Sequence, residues 1–208
     1  DKKINYLSLA RLFLFGARDV WFVVGIPLFF FEILSDGSTE ENRYAFFVIG
    51  SFMAIWIIFY GLIQAWVPSF FRGIKMEFLI KQTVFWISML AVCTISLTTV
   101  LFLFNSLSNL ITISLVVIGL FIFGAIFAIN SSLHSFLILY FTTSERASLD
   151  VGFYYMANAS GRLIGTFLSG LSYQAGGLTS CLLVAALLLI FCYFSTFILK
   201  RQYQTSIS

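Results

Sequence analysis

Leu7-Ser8-Leu9-Ala10-Arg11-Leu12-Phe13-Leu14-Phe15-Gly16-Ala17-Arg18-Asp19-Val20-Trp21-Phe22-Val23-Val24-Gly25-Ile26-Pro27-Leu28-Phe29-Phe30-Phe31-Glu32-Ile33-Leu34 is the stretch whose reading decides the fold. It is long enough to cross a bilayer, since about 20 mainly apolar residues rising 1.5 Å each cover a hydrocarbon layer of about 30 Å. Yet it carries an Arg-Asp pair at its middle. A membrane span explains the length, and a polar interior would explain the charges. Five further runs repeat the pattern, roughly Tyr44 to Val67, Lys81 to Phe104, Leu110 to Tyr140, Ser148 to Tyr173 and Gly177 to Leu199.

The whole chain agrees with this. Of its 208 residues 60% are hydrophobic, 19% aromatic and only 10% charged, with a mean hydropathy of +0.99; a water-soluble domain carries about a quarter charged residues. The runs are continuous rather than ten-residue alternations, so they read as helices and not barrel strands. The expected fold is therefore an all-α membrane protein, one bundle of six transmembrane helices over residues 1–208, with two three-helix repeats at about 7–104 and 110–199. The net charge of +3 does not indicate a nucleic-acid partner, because the basic residues stand one or two at a time beside apolar runs. Cys93, Cys181 and Cys192 lie inside such runs without metal-ligand spacing, and no cofactor or metal is expected.

Orientation follows from alternate connections. Lys2, Lys3, Arg11, Arg72, Lys75, Lys81, Arg146, Lys200 and Arg201 fall on one side, and Arg43 on the other, in the acidic loop 35–43; the connections Asn105 to Asn109 and Gln174 to Gly177 are uncharged. The positive-inside bias places both termini in the cytoplasm; the membrane expected is the cell (inner) membrane. The chain opens on Asp-Lys-Lys, and its first apolar stretch carries charge and no small-residue cleavage site; it is expected not to be a signal peptide, and the chain to be part of a longer protein.

Charge inside a membrane helix costs about 2.5–3.5 kcal/mol per residue on insertion scales, so each case needs a partner, water or a purpose. Arg18 and Asp19 are central in the first span. Neighbouring positions differ by about 100°, so one is expected to face a cavity while the other pairs with an adjoining helix. Gly25 and Pro27 loosen the same helix. In the fifth span Tyr154, Asn158, Arg162 and Thr166 are four apart and form a polar stripe, while Gly161, Gly165 and Ser169 form a small-residue stripe suited to close helix packing. In the fourth span Asn130 and His134 belong to a polar cluster, and Glu32 lies near the external end of the first. The third and sixth spans have no interior charge and are expected at the periphery.

Arg18, Asp19 and Arg162 sum to one positive charge, which an anionic ligand would balance; Arg geometry suits carboxylate, phosphate or a similar oxyanion. Candidate substrate-binding residues are Arg18, Asp19, Asn130, His134, Tyr154, Asn158 and Arg162. Asp19, Glu32 and His134 are candidates for proton coupling, and Gly25, Pro27, Gly161 and Gly165 for hinge and packing roles. The bland alternative is a structural ion cluster joining Asp19 to Arg162, with Arg18 held by backbone carbonyls. His134 can equally be an interior histidine and Glu32 an interfacial one. Catalysis has little support, and no enzyme is expected: one His, no His-Glu-x-x-His, no Gly-x-Ser-x-Gly, no Walker sequence.

Six spans, with charge in the first, fourth and fifth, resemble one half of a major facilitator superfamily transporter. Arg11 to Pro27 (RLFLFGARDVWFVVGIP) and Val151 to Thr166 (VGFYYMANASGRLIGT) resemble the second half of the organoarsenical-efflux permeases of the ArsJ type. That resemblance implies a further six-helix half as partner. It also implies export of 1-arseno-3-phosphoglycerate, conferring arsenate resistance, and a functional link to a glyceraldehyde-3-phosphate dehydrogenase that makes this compound. Other readings are an exporter of a different phosphorylated or carboxylated metabolite, or a non-transporting membrane scaffold subunit.

Overall fold

The computed structural model describes residues 1–103 and 109–206. The expected connection 105–109 and the end of the first repeat near residue 104 lie outside them, Asn109 excepted. All regular structure in the described residues is helical: α1 Lys2–Phe22, α2 Gly25–Leu34, α3 Thr39–Phe71, α4 Met76–Leu103, α5 Asn109–Phe141 and α6 Ala147–Thr205. Five helical stretches, with α1 and α2 counted together as Lys2–Leu34, are long and apolar enough to cross a membrane. This is the architecture of a multi-pass helical membrane protein.

Most helices start or end beyond their apolar runs, because polar residues at the ends can cap them outside the hydrocarbon. Ser38 accepts the Glu41 backbone N–H and so starts α3 five residues before Tyr44 is passed, with Glu40 and Glu41 in the first turn. In the same loop the Ser38 N–H, bonded to Asp36, holds that carboxyl below its ordinary range. Pro27 explains the break between α1 and α2. Its ring would clash with the carbonyl four residues back, at Val23, so the first helix stops at Phe22 and a new one starts at Gly25, with Pro27 inside its first turn. The Gly25 N–H, released from the helical ladder, donates to Ser169 Oγ at 3.3 Å.

α6 is not one straight rod. Gly176 and Gly177 leave helical geometry, Gly177 with a φ of 62°, which a side chain would disfavour. Ser169 and Cys181 would be about 18 Å apart along a straight helix, yet Cys181 Sγ lies 3.6 Å from the Ser169 carbonyl. The helix therefore doubles back into two arms, 147–175 and 178–205, at the place where the Gln174–Gly177 connection was expected.

Both arms flank α1. Gly161 of the first meets Leu12, and Cys192 of the second donates from Sγ to the Ala10 carbonyl at 3.1 Å. α1 is thus the central element, buried over most of its length. On the other side α5 packs against α3 through Trp56, whose indole N–H donates to the Leu120 carbonyl at 2.8 Å and whose ring covers Gly124. Trp21 stacks edge-on against Trp56 and Phe123, so two of the four tryptophans meet in the core although their spacing in the chain suggests no cluster. Trp56→Phe, which loses this bond, is expected to lower unfolding stability by about 1 kcal/mol, checked by thermal unfolding in detergent.

The third and sixth spans each keep an exposed outer face, at Phe85, Val92 and Phe102 in α4 and at Leu183, Leu187, Phe191 and Phe194 in the 178–205 arm, as expected of outer supports, but they are not the most exposed elements. The second span, α3, is the least covered, with only Ala45, Ile49, Trp56 and Val67 buried, whereas the sixth (178–205) buries a continuous face against α1. The absence of interior charge does not make a helix peripheral, because an apolar helix packs equally well on an apolar neighbour.

Candidate functional site

Arg18 and Asp19 do not diverge. Arg18 donates from Nε to Asp19 Oδ1 at 2.6 Å and its terminal NH2 nitrogen lies 2.6 Å from the same oxygen. The 100° rule describes where Cβ atoms point; an arginine has enough rotatable bonds to curl back across that angle to its neighbour. Asp19 Oδ2 accepts from Arg162 Nε at 3.1 Å, across the α1–α6 contact. One carboxylate, 1% exposed, is therefore held between two guanidiniums.

Small residues make this possible. A Cβ at Gly165 would meet the Gly16 backbone and Asp19 Cβ, and one at Gly161 would meet the Leu12 backbone. The small-residue stripe of the 147–175 arm thus presses against α1 at Leu12 and Gly16, which brings Arg162 within reach of Asp19. The two arginines differ in environment. Arg18 is buried, its guanidinium carbon 4.9 Å from the Phe15 ring centre and 5.2 Å from that of Phe127, contacts that partly replace hydration. Arg162 has a side chain 56% exposed, and among the described residues its two terminal nitrogens have no partner. Its stripe neighbours Asn158 and Tyr154 lead inward: Asn158 is half-buried with an unpartnered Oδ1, and Tyr154 is fully buried.

A second polar group surrounds Arg11, which the sequence reading counted among the end charges. It is instead 4% exposed and points into the bundle. Its NH1 nitrogen donates to both the carbonyl and the hydroxyl of Ser131 at 3.0 Å. The guanidinium carbon lies 4.1 Å from the Phe15 ring centre and 5.0 Å from that of Tyr154. Gln64 of α3 donates to the same Ser131 hydroxyl at 3.1 Å and accepts from Ser132 through its carbonyl, linking this group to a cavity of about 310 Å³ between α3 and α5. Arg11 was legible in one respect: Ser8, Arg11, Phe15 and Arg18 follow helical spacing and share a face.

The remaining candidates are spread out. His134 is fully buried near Arg11, with neither ring nitrogen hydrogen-bonded. Asn130, one turn earlier on α5, donates back to the Ile126 carbonyl at 3.1 Å and leaves Oδ1 unpartnered. Glu32 is exposed and lines a separate cavity of about 270 Å³ with Tyr173, Gly176 and Gly177, at the turn of α6. Structure brings together Arg18, Asp19 and Arg162, and separately His134, Tyr154 and Arg11; Glu32 joins neither. Among the described residues no set of three His, Cys, Asp or Glu side chains is placed to hold a metal.

No protein-family model, curated protein or solved structure matches the chain.

Proposed function

We propose that the chain is a six-helix half of a major facilitator-type secondary transporter that exports a small organic oxyanion across the cell membrane, with both termini cytoplasmic. The observation that carries this is a charge imbalance. Arg11, Arg18 and Arg162 lie within helices long and apolar enough to cross a membrane, and among the described residues Asp19 is the one carboxylate paired with any of them, bonded to Arg18 and Arg162 while Arg11 has no acidic partner. Positive charge in excess, deep in a bundle, has its natural complement in an anion. Arg162 offers the open contact, with Asp19 fixing its orientation and Arg18 fixing Asp19. Two packing features favour the inverted-repeat arrangement. The turn in α6 leaves two arms of crossing length, which supports a count of six, and the first span lies on the fifth, at Gly16 and Gly161, as the fourth lies on the second, at Gly124 and Trp56. This reciprocal exchange is what two repeats related by an in-plane axis would make.

The resemblance of residues 11–27 and 151–166 to organoarsenical-efflux permeases supplies 1-arseno-3-phosphoglycerate as the first substrate to test. Arg162→Gln in the full-length protein is expected to reduce arsenate resistance and vesicle transport by tenfold or more while membrane insertion is retained; transport at the original rate would remove Arg162 from the anion site. A second reading, a scaffold subunit locked by its ions, is favoured by Asp19 occupying the position between the two arginines. It requires that exchanging Asp19 and Arg162 restores assembly and that no phosphorylated or carboxylated solute moves.

A further inference from the structure

We propose that the groove between the start of α1 and the end of the 178–205 arm binds one anionic phospholipid, with its phosphate at Lys2 and an acyl chain running inward past Leu9. Lys2, Asn5, Tyr6, Leu9 and Gln202 line a single cavity of about 330 Å³. On both helices this cavity straddles the end of the apolar run, since Lys2 precedes Leu7 and Gln202 follows Leu199. Its polar mouth is therefore level with the boundary between hydrocarbon and water.

Every polar side chain in the lining can donate a hydrogen bond: an ammonium, two primary amides and a phenol. Among the described residues none of the four has an ion-pair or side-chain hydrogen-bond partner, and no carboxylate lines the cavity. The neighbouring Asp1 is occupied in capping α1, where it accepts the Lys3 backbone N–H at 2.9 Å. Lys3 itself points elsewhere, its ammonium 5.9 Å from the Phe141 ring centre and 5.8 Å from that of Tyr203. A phosphate can accept from several such donors at once, whereas the amine of a zwitterionic headgroup would find no acid beside it. The volume suits a headgroup rather than a bare ion, a water molecule's share of liquid volume being about 30 Å³.

The apolar side of the groove separates a lipid from a soluble phosphate. Lys2, Tyr6, Leu9 and Phe13 follow helical spacing and share a face of α1, as Gln202, Ile198 and Phe191 share a face of the arm. The two faces meet deeper in the span, where the ring centres of Phe13 and Phe191 are 5.5 Å apart. Leu9, Ile198 and Phe191 are all more than a third exposed. An open apolar strip thus leads from the cavity into the hydrocarbon, about 10 Å from Lys2 to Leu9 alone. A soluble phosphate would leave that strip uncovered; an acyl chain covers it. This inference rests on the membrane-spanning fold and not on the transport reading.

The test is thermal unfolding of the full-length protein in detergent, titrated separately with dioleoylphosphatidylglycerol, dioleoylphosphatidylcholine and soluble glycerol 3-phosphate at constant ionic strength. Phosphatidylglycerol is expected to raise the melting temperature saturably, and the other two to give no saturable response. Lys2→Gln is expected to raise the half-saturating phosphatidylglycerol concentration roughly tenfold, and Gln202→Leu to raise it roughly threefold. Lys3→Gln makes the same change in net charge outside the cavity and is expected to shift that concentration less than about twofold. Arg162→Gln is expected to leave it unchanged, so failure of the transport site and failure of this one are separable. Equal responses to the two lipids, a saturable response to glycerol 3-phosphate, or equal shifts in Lys2→Gln and Lys3→Gln would overturn the proposal, the last because it would reduce the effect to net surface charge.

Discussion

Gly161→Ala is expected to cost more folded protein than any other single methyl added along the helix contacts. The new Cβ would lie against the Leu12 backbone, with its carbonyl carbon at 2.8 Å and Cα at 2.9 Å. A side chain in the way could rotate; a main-chain carbonyl inside a packed helix cannot. Overpacking of a tight contact costs about 1–3 kcal/mol, and here relief requires moving α1 away from the 147–175 arm. That movement also opens the neighbouring contacts at Gly165 and Ser169, and separates Arg162 from Asp19. Gly170 provides the control on the same arm. A methyl there meets nothing within 4 Å, so Gly170→Ala is expected to be neutral or to add up to about 1 kcal/mol through the helix preference of alanine. Melting temperature and monodisperse yield in detergent read both. Similar values for the two variants would mean that the helices are not in backbone contact at Gly161.

How much of this could be read in the chain depends on the length scale of the signal. Spans were legible because burial of backbone polar groups in lipid forces long apolar helices, and Gln174–Gly177 was legible as a turn because two glycines interrupt one. The stripe Gly161, Gly165, Ser169 announced close packing, but nothing in its spacing names Leu12 and Gly16 as the partners; that pairing spans about 150 residues and is set by the bundle as a whole. The cost of burying charge correctly drew attention to Arg18, Asp19 and Arg162. Their arrangement is not legible from helix spacing, because an arginine side chain is not a fixed spoke and can curl back to its neighbour. Arg11 is hidden for a related reason: a basic residue near the start of a span reads as an orientation signal, although at position 11 it lies about 14 Å into a helix that starts at Lys2. Its burial depends on α5 presenting Ser131, a contact 120 residues away.

Asp19→Asn is expected to be the most damaging change that leaves side-chain volume intact. It keeps the shape of the site but removes the one negative charge paired with Arg18 among the described residues; Arg18 is 6% exposed and cannot turn to water without leaving Phe15 and Phe127. Breaking a buried pair by removing one partner costs about 3–5 kcal/mol, most of it the desolvation of the charge left behind. The Arg162 contact adds little to that figure, because its side chain is more than half exposed and solvent screens the loss. This asymmetry yields a discriminating test. Arg18→Met in the Asp19→Asn background removes the stranded cation and is expected to recover most of the lost melting temperature, whereas Arg162→Gln in the same background is expected to recover little. If instead Arg162→Gln gives the larger rescue, the dominant partner of Asp19 is Arg162, and the open guanidinium assigned above to an incoming anion is already spent on the protein's own carboxylate.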